Sequence, residues 1–114
     1  MALHYNLAKV YALSNNNQEF VLQIVTSFVF ETTKDIAEIN KGIKNKDYKK
    51  TYSIAHKLKP TLDILGLKVA FEEILQIEAW TKNEGKKKEI KETFKSIRLQ
   101  IKNAKKELKK DFDL

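Results

Sequence analysis

FVLQIVTSFVFETTKDIAEINK, residues 20–41, reads as a strand over its first half and as a helix over its whole length. β-Branched and aromatic residues crowd positions 20–30, the composition of a half-buried strand. Val21, Val25, Phe28, Thr32, Ile36 and Ile39 nevertheless recur at three- and four-residue spacing. That period continues far past an ordinary strand of about 5–6 residues, so the segment from about Gln18 to Lys41 is a helix with one apolar face.

The flanking sequence repeats this pattern. Before it, LHYNLAKVYAL places Leu3, Leu7, Val10 and Tyr11 on one side and meets SNNN, a run of helix-capping residue types. This is a short lid helix. After it, KGIKNKD breaks the period, with Gly42 as the stop and Asn45 or Asp47 as the next cap. From Tyr48 to Leu65 the buried positions are Tyr48, Tyr52, Ala55, Leu58, Leu62 and Leu65, closed by Gly66. Ala70, Phe71, Ile74 and Ile77 give a further helix over about Lys68 to Lys82, ended by KNEGKKK. Ile90, Phe94, Ile97, Ile101, Ala104 and Leu108 then form a narrow seam of alternating four- and three-residue steps. Four amphipathic helices with short links predict an all-α fold, an antiparallel up-down four-helix bundle carrying the lid helix.

Composition supports a single domain over residues 1–114. With 114 residues the chain can bury one core, and with three Gly and one Pro it lacks the punctuation of a many-stranded fold. No cysteine is present, which removes disulfides and thiolate chemistry. The start MALHYNLAKV lacks a signal-peptide pattern, and Phe20 to Phe30 is too short and too polar to span a bilayer. A soluble, cytoplasmic monomer with no membrane association is expected. The net charge of +7 is concentrated from Lys82 to Leu114, where twelve Lys+Arg face six Asp+Glu. Such a surface attracts anions, and charge alone does not choose between nucleic acid and an acidic protein.

AHKLKPTLDILGL, residues 55–67, carries the residues with chemistry. At about 100° per residue, His56 falls on the flank of its helix's apolar stripe, at the solvent boundary. Lys59 and Pro60 lie one turn above it, Ser53 and Tyr52 below, and Lys57 points away. A neutral imidazole is a competent nucleophile near pH 7, and an ammonium one turn along offsets phosphoryl charge. The alternative is an ordinary surface histidine. Ser53, Pro60 and Ile64 project outward beside His56 and would line a docking surface, unless Ile64 packs against the lid helix or the core. Glu78 projects into the apolar stripe of its own helix and needs a partner there. It would reach His56 or Lys59, with Lys82 joining the rim one turn later, or else extend to solvent. Pro60 removes a backbone donor and crowds the carbonyl of His56, which predicts a local bend.

This stretch resembles the signature of histidine-containing phosphotransfer domains of bacterial phosphorelays, in Ala55, His56, Leu58, Lys59 and Gly66. The order and length of the helices extend the resemblance over nearly the whole chain. It departs at Pro60, where the family commonly has Gly; a compact proline ring would also leave room for a docking partner. The resemblance implies that His56 accepts a phosphoryl group from a receiver aspartate and passes it to another, with Lys59 stabilising the phosphoryl oxygens. The implied partners are receiver domains of a hybrid histidine kinase and a response regulator. No nucleotide-binding or metal-ligand motif is present. The expectation is therefore a phosphocarrier without autonomous kinase activity and without a cofactor of its own, the Mg²⁺ being held by the receiver. His4 receives no role. The alternatives are a basic nucleic-acid-binding bundle using the C-terminal lysines, or a phosphate-independent adaptor. No recognition helix or stacking platform favours the first, because those lysines alternate with Glu89, Glu92 and Glu107 as on a solvated face.

Overall fold

In the computed structural model, which describes residues 4–114, every regular element is a helix. The order is α1 (Ala8–Leu13), α2 (Gln18–Lys44), α3 (Tyr48–Ile64), α4 (Lys68–Lys82) and α5 (Lys87–Asp111). The apolar periods dictate the packing. All six seam residues of α5, from Ile90 to Leu108, are buried, as are the six predicted for α2. Burial of a large aliphatic side chain contributes about 1.5–3 kcal/mol, so packing outweighs the like charges that α5 carries along its exposed face. α2 packs on α3, α3 on α4, α4 on α5 and α5 back on α2, which closes a ring of helices around one core. Among the described residues no helix is long and apolar enough to cross a membrane.

Two boundaries differ from the sequence reading. The short N-terminal helix begins at Ala8, and Leu3 lies outside the described residues. α2 does not stop at Gly42 but runs to Lys44. Its end is a Schellman turn: Asp47 N–H donates to the Gly42 carbonyl at 2.8 Å and Lys46 N–H to that of Ile43 at 3.2 Å, with Lys46 at φ 52°. Lysine thus occupies the left-handed position usually given to glycine, while Gly42 serves a different need. A Cβ there would collide with the Thr51 hydroxyl, so the missing side chain lets α3 approach α2 closely. Asp47 then caps α3, accepting from Lys50 N–H at 3.1 Å. At the other end of α3, Gly66 has φ 71° and terminates the helix as expected.

α1 packs on α2 through the buried Val10. Asn6 N–H donates to the Leu65 carbonyl at 2.8 Å and Lys9 pairs with Asp63 at 2.8 Å, so the segment is tied to the corner between α3 and α4. His4 is not a free surface residue: its Nδ1 lies 2.9 Å from Glu107, and its backbone N–H donates to the same carboxylate at 3.0 Å. Tyr5 donates to Asp111 at 2.6 Å; burial, then this hydrogen bond and the nearby carboxylate charge, push its phenol well above the ordinary range.

Candidate functional site

His56 sits on the flank of α3 that faces α4, and its side chain is 58% exposed. The buried positions Ala55 and Leu58 orient the helix, leaving position 56 at the edge of the seam. From α4, Glu78 reaches across from a position that is only 6% exposed. Its Oε2 lies 3.0 Å from His56 Nδ1, and its Oε1 accepts from Lys59 Nζ at 3.2 Å. One buried carboxylate therefore holds both the imidazole and the ammonium, and neither lysine nor histidine need surrender its outer face. Glu78 satisfies its own burial requirement through these two bonds.

The hydrogen-bond roles follow from donor chemistry. A carboxylate holding an ammonium only accepts, so Nδ1 of His56 is the protonated nitrogen. In the neutral ring the lone pair is then on Nε2, which no described residue engages by a hydrogen bond. Below the histidine, Tyr52 stacks on the imidazole at 5.5 Å between centroids and 14° between planes. Lys82 places its Nζ 5.4 Å from the centre of the Tyr52 ring. The ring of Tyr52 thus restricts imidazole tilt on one side while Glu78 fixes its edge.

The predicted residues divide accordingly. His56, Lys59 and Glu78 come together in direct contact, and Lys82 joins them through Tyr52. Ser53 and Pro60 are exposed beside the histidine. Ile64 departs from its expected exposure: it is half-buried and packs against the core. α3 continues through Pro60 to Ile64, and the proline ring lies on the exposed surface. Lys57 points away from the site, as projection requires, and pairs with Asp35 of α2 at 2.9 Å.

The sequence places Tyr52 below His56 and among the buried positions without giving it a role at the site, and it does not single out Asp35. Tyr52 stands one helical turn before His56, a spacing that places the two rings together, but it reads equally as core and is in fact only partly buried. Tyr48 and Phe71 are likewise partly buried where full burial was expected. Asp35 lies inside the apolar stretch of α2 with no local signal of its partner. Beside the site, Tyr48, Lys49, Tyr52, Thr81 and Lys82 line an open depression of about 260 Å³. Among the described residues no group of three or more His, Asp or Glu side chains is placed to hold a metal ion.

No protein-family model matches the chain, and neither a curated protein nor a solved structure matches it.

Proposed function

We propose that this chain is a histidine phosphotransfer protein, an antiparallel four-helix bundle of α2 to α5 with α1 as its lid, relaying a phosphoryl group through His56. The observation that carries the reading is the exposed imidazole whose Nδ1 is held by a buried carboxylate that also holds Lys59. Glu107 holds the Nδ1 of His4 in the same way, but His4 is only 33% exposed, whereas His56 is 58% exposed and has Lys59 on the same acceptor; an accessible nucleophile gains from a fixed tautomer and a fixed direction.

In the proposed step, Nε2 of neutral His56 attacks the phosphorus of a receiver's aspartyl phosphate. The N–P bond forms as the P–O bond to the aspartate breaks, and the aspartate leaves as a carboxylate. The Nδ1 proton stays in place. The ring consequently becomes a phosphorylated imidazolium, and the Glu78 carboxylate at 3.0 Å offsets that new charge. Lys59, whose side chain is 29% exposed, has donors free to turn from Glu78 toward the phosphoryl oxygens. Transfer to the next receiver reverses these bonds. The receiver would hold the Mg²⁺ that neutralises the phosphoryl oxygens, and the phosphoryl group would come from the receiver rather than directly from ATP.

Ser53 and Pro60 supply the surface on which a receiver closes over His56, with Lys82 at the rim. The reading places the protein in the cytoplasm as a monomer meeting receiver domains of a kinase and a regulator. The decisive experiment is incubation with phosphorylated receiver domains, followed by mapping of acid-labile, base-stable phosphate. Label on His56 is expected. Absence of label from every receiver, or label elsewhere, overturns the reading.

A further inference from the structure

The chain's excess charge is gathered on the side away from His56. Between the last turns of α2 and the first half of α5 runs a groove of about 500 Å³ whose rim carries Lys44, Lys87, Lys88, Lys91, Lys95 and Arg98. No Asp or Glu lines it. Without these six cations, the remaining sixteen Lys and Arg nearly balance the fifteen carboxylates, so the groove accounts for almost the whole net charge of +7. Among the described residues only Lys95 of the six is within ion-pair distance of a carboxylate, at 4.0 Å from Glu92, which is 84% exposed. This contrasts with Lys59 and Lys57, which both have carboxylate partners.

The floor of the groove is apolar. Ile43 and Phe94 form it, each 7% exposed, and the Arg98 guanidinium lies 5.7 Å from the centre of the Phe94 ring. Clustered like charges repel one another, which costs stability unless an anion offsets them. The volume falls within the roughly 300–1,000 Å³ of ligand-binding clefts. A phosphodiester backbone would match the rim but leave the apolar floor uncovered, and no exposed aromatic platform is among the lining residues for a base to stack upon.

We infer that this groove docks an acidic protein segment bearing a large apolar side chain, the carboxylates meeting the lysine rim and the apolar group covering Ile43 and Phe94. In the ring of helices the α2–α5 seam lies opposite the α3–α4 seam that carries His56. The groove and the histidine can therefore be engaged at the same time. The inference stands independently of the phosphotransfer reading.

The test uses the full chain and fluorescein-labelled eight-residue peptides: seven Asp/Glu with one central Phe, and the same peptide with Phe replaced by Ser. Anisotropy should show the Phe peptide binding at least fivefold more tightly. K91E/R98E should weaken it tenfold or more, whereas K109E/K110E, the same charge change at the far end of α5, should weaken it less than twofold. In the unaltered protein, amide and methyl resonances of Ile43 should shift on titration, a readout independent of variant folding. Equal weakening by the two charge reversals overturns the inference, because it makes the attraction diffuse. So does equal binding of the Phe and Ser peptides, tighter binding of a single-stranded oligonucleotide of matched charge, or an unmoved Ile43. Phosphoryl uptake by K91E/R98E from phosphoramidate, a small donor that needs no protein docking, reports on His56 separately and is expected to be unchanged.

Discussion

The two flanks of α3 are built alike and differ in one residue type. Toward α2, Lys57 meets Asp35 at 2.9 Å and Lys50 meets Glu38 at 2.6 Å, one cation to each carboxylate. Toward α4, a single carboxylate, Glu78, receives both Lys59 and His56. The first flank is a pair of ionic clips between helices. On the second, an imidazole takes the place of one cation, and the shared carboxylate fixes the orientation of a ring that the proposed relay would use as its nucleophile. Both flanks have a buried acceptor, Asp35 and Glu78, and both have lysine–carboxylate pairs, so under the proposed function the difference lies in the added histidine and in its sharing one carboxylate with Lys59.

The largest effect is expected at the histidine. His56→Gln should abolish phosphoryl acceptance and leave the melting temperature within a few degrees of the parent, because a side chain 58% exposed contributes little to the core. Receiver-dependent labelling and thermal unfolding of the same preparation check both halves. Undiminished labelling would place the acceptor elsewhere.

Removing the shared acceptor should come next in size. Glu78→Ala frees the Nδ1 tautomer and leaves the ring held only by Tyr52, so transfer should slow by ten- to a hundredfold, about 1.4–2.8 kcal/mol. Glu78→Gln keeps an acceptor for Nδ1 but not the charge that offsets the imidazolium, and should lie between. Rapid-quench transfer rates across the series test the order; a Gln variant as slow as Ala would show that charge rather than orientation is the contribution of Glu78. Lys59→Ala should slow transfer about tenfold, roughly 1.4 kcal/mol, while Lys57→Ala on the other flank should change it less than twofold. Equal defects in these two lysine variants would erase the distinction between the flanks.

Much of this arrangement is legible in the sequence because helical period reports direction. Every predicted seam residue of α2 and α5 is buried, and Glu78, the one carboxylate set into the α4 stripe, does meet His56 and Lys59. Period does not report how neighbouring helices approach. Gly42 reads as a helix stop because glycine favours the left-handed turn, yet it is needed where Thr51 comes close, and Lys46 accepts the left-handed conformation instead. Ile64 projects off the stripe by angle, but the core extends far enough around α3 to half-bury it. Tyr52 has the spacing of a stacking partner and the composition of a core residue, and spacing alone does not separate the two. The basic groove is equally hidden: the charge of the C-terminal segment is plain, whereas its meeting with Ile43 and Lys44 depends on α2 lying beside α5.

The smallest effect is expected on the α2 flank, where the ionic clip is exposed. A hydrogen bond from Lys50, reinforced by its charge, holds the Glu38 carboxyl below the usual carboxylate range. A lowered native pKa means that the unfolded chain binds a proton more readily than the folded one. The contribution is therefore full above the unfolded value of about 4.3 and is lost as pH falls through the lower native value. Glu38→Gln removes it. The melting temperature of the variant should lie slightly below that of the parent at pH 7, by an amount that high salt reduces, because an exposed pair is screened by solvent and ions. As pH is lowered through the acid range the two curves should converge, since protonation of Glu38 leaves the parent with the same uncharged group. A gap that widens on acidification would mean that Lys50 does not stabilise the Glu38 charge, and the α2 flank would then owe its register to Asp35–Lys57 and to the close approach at Gly42 alone.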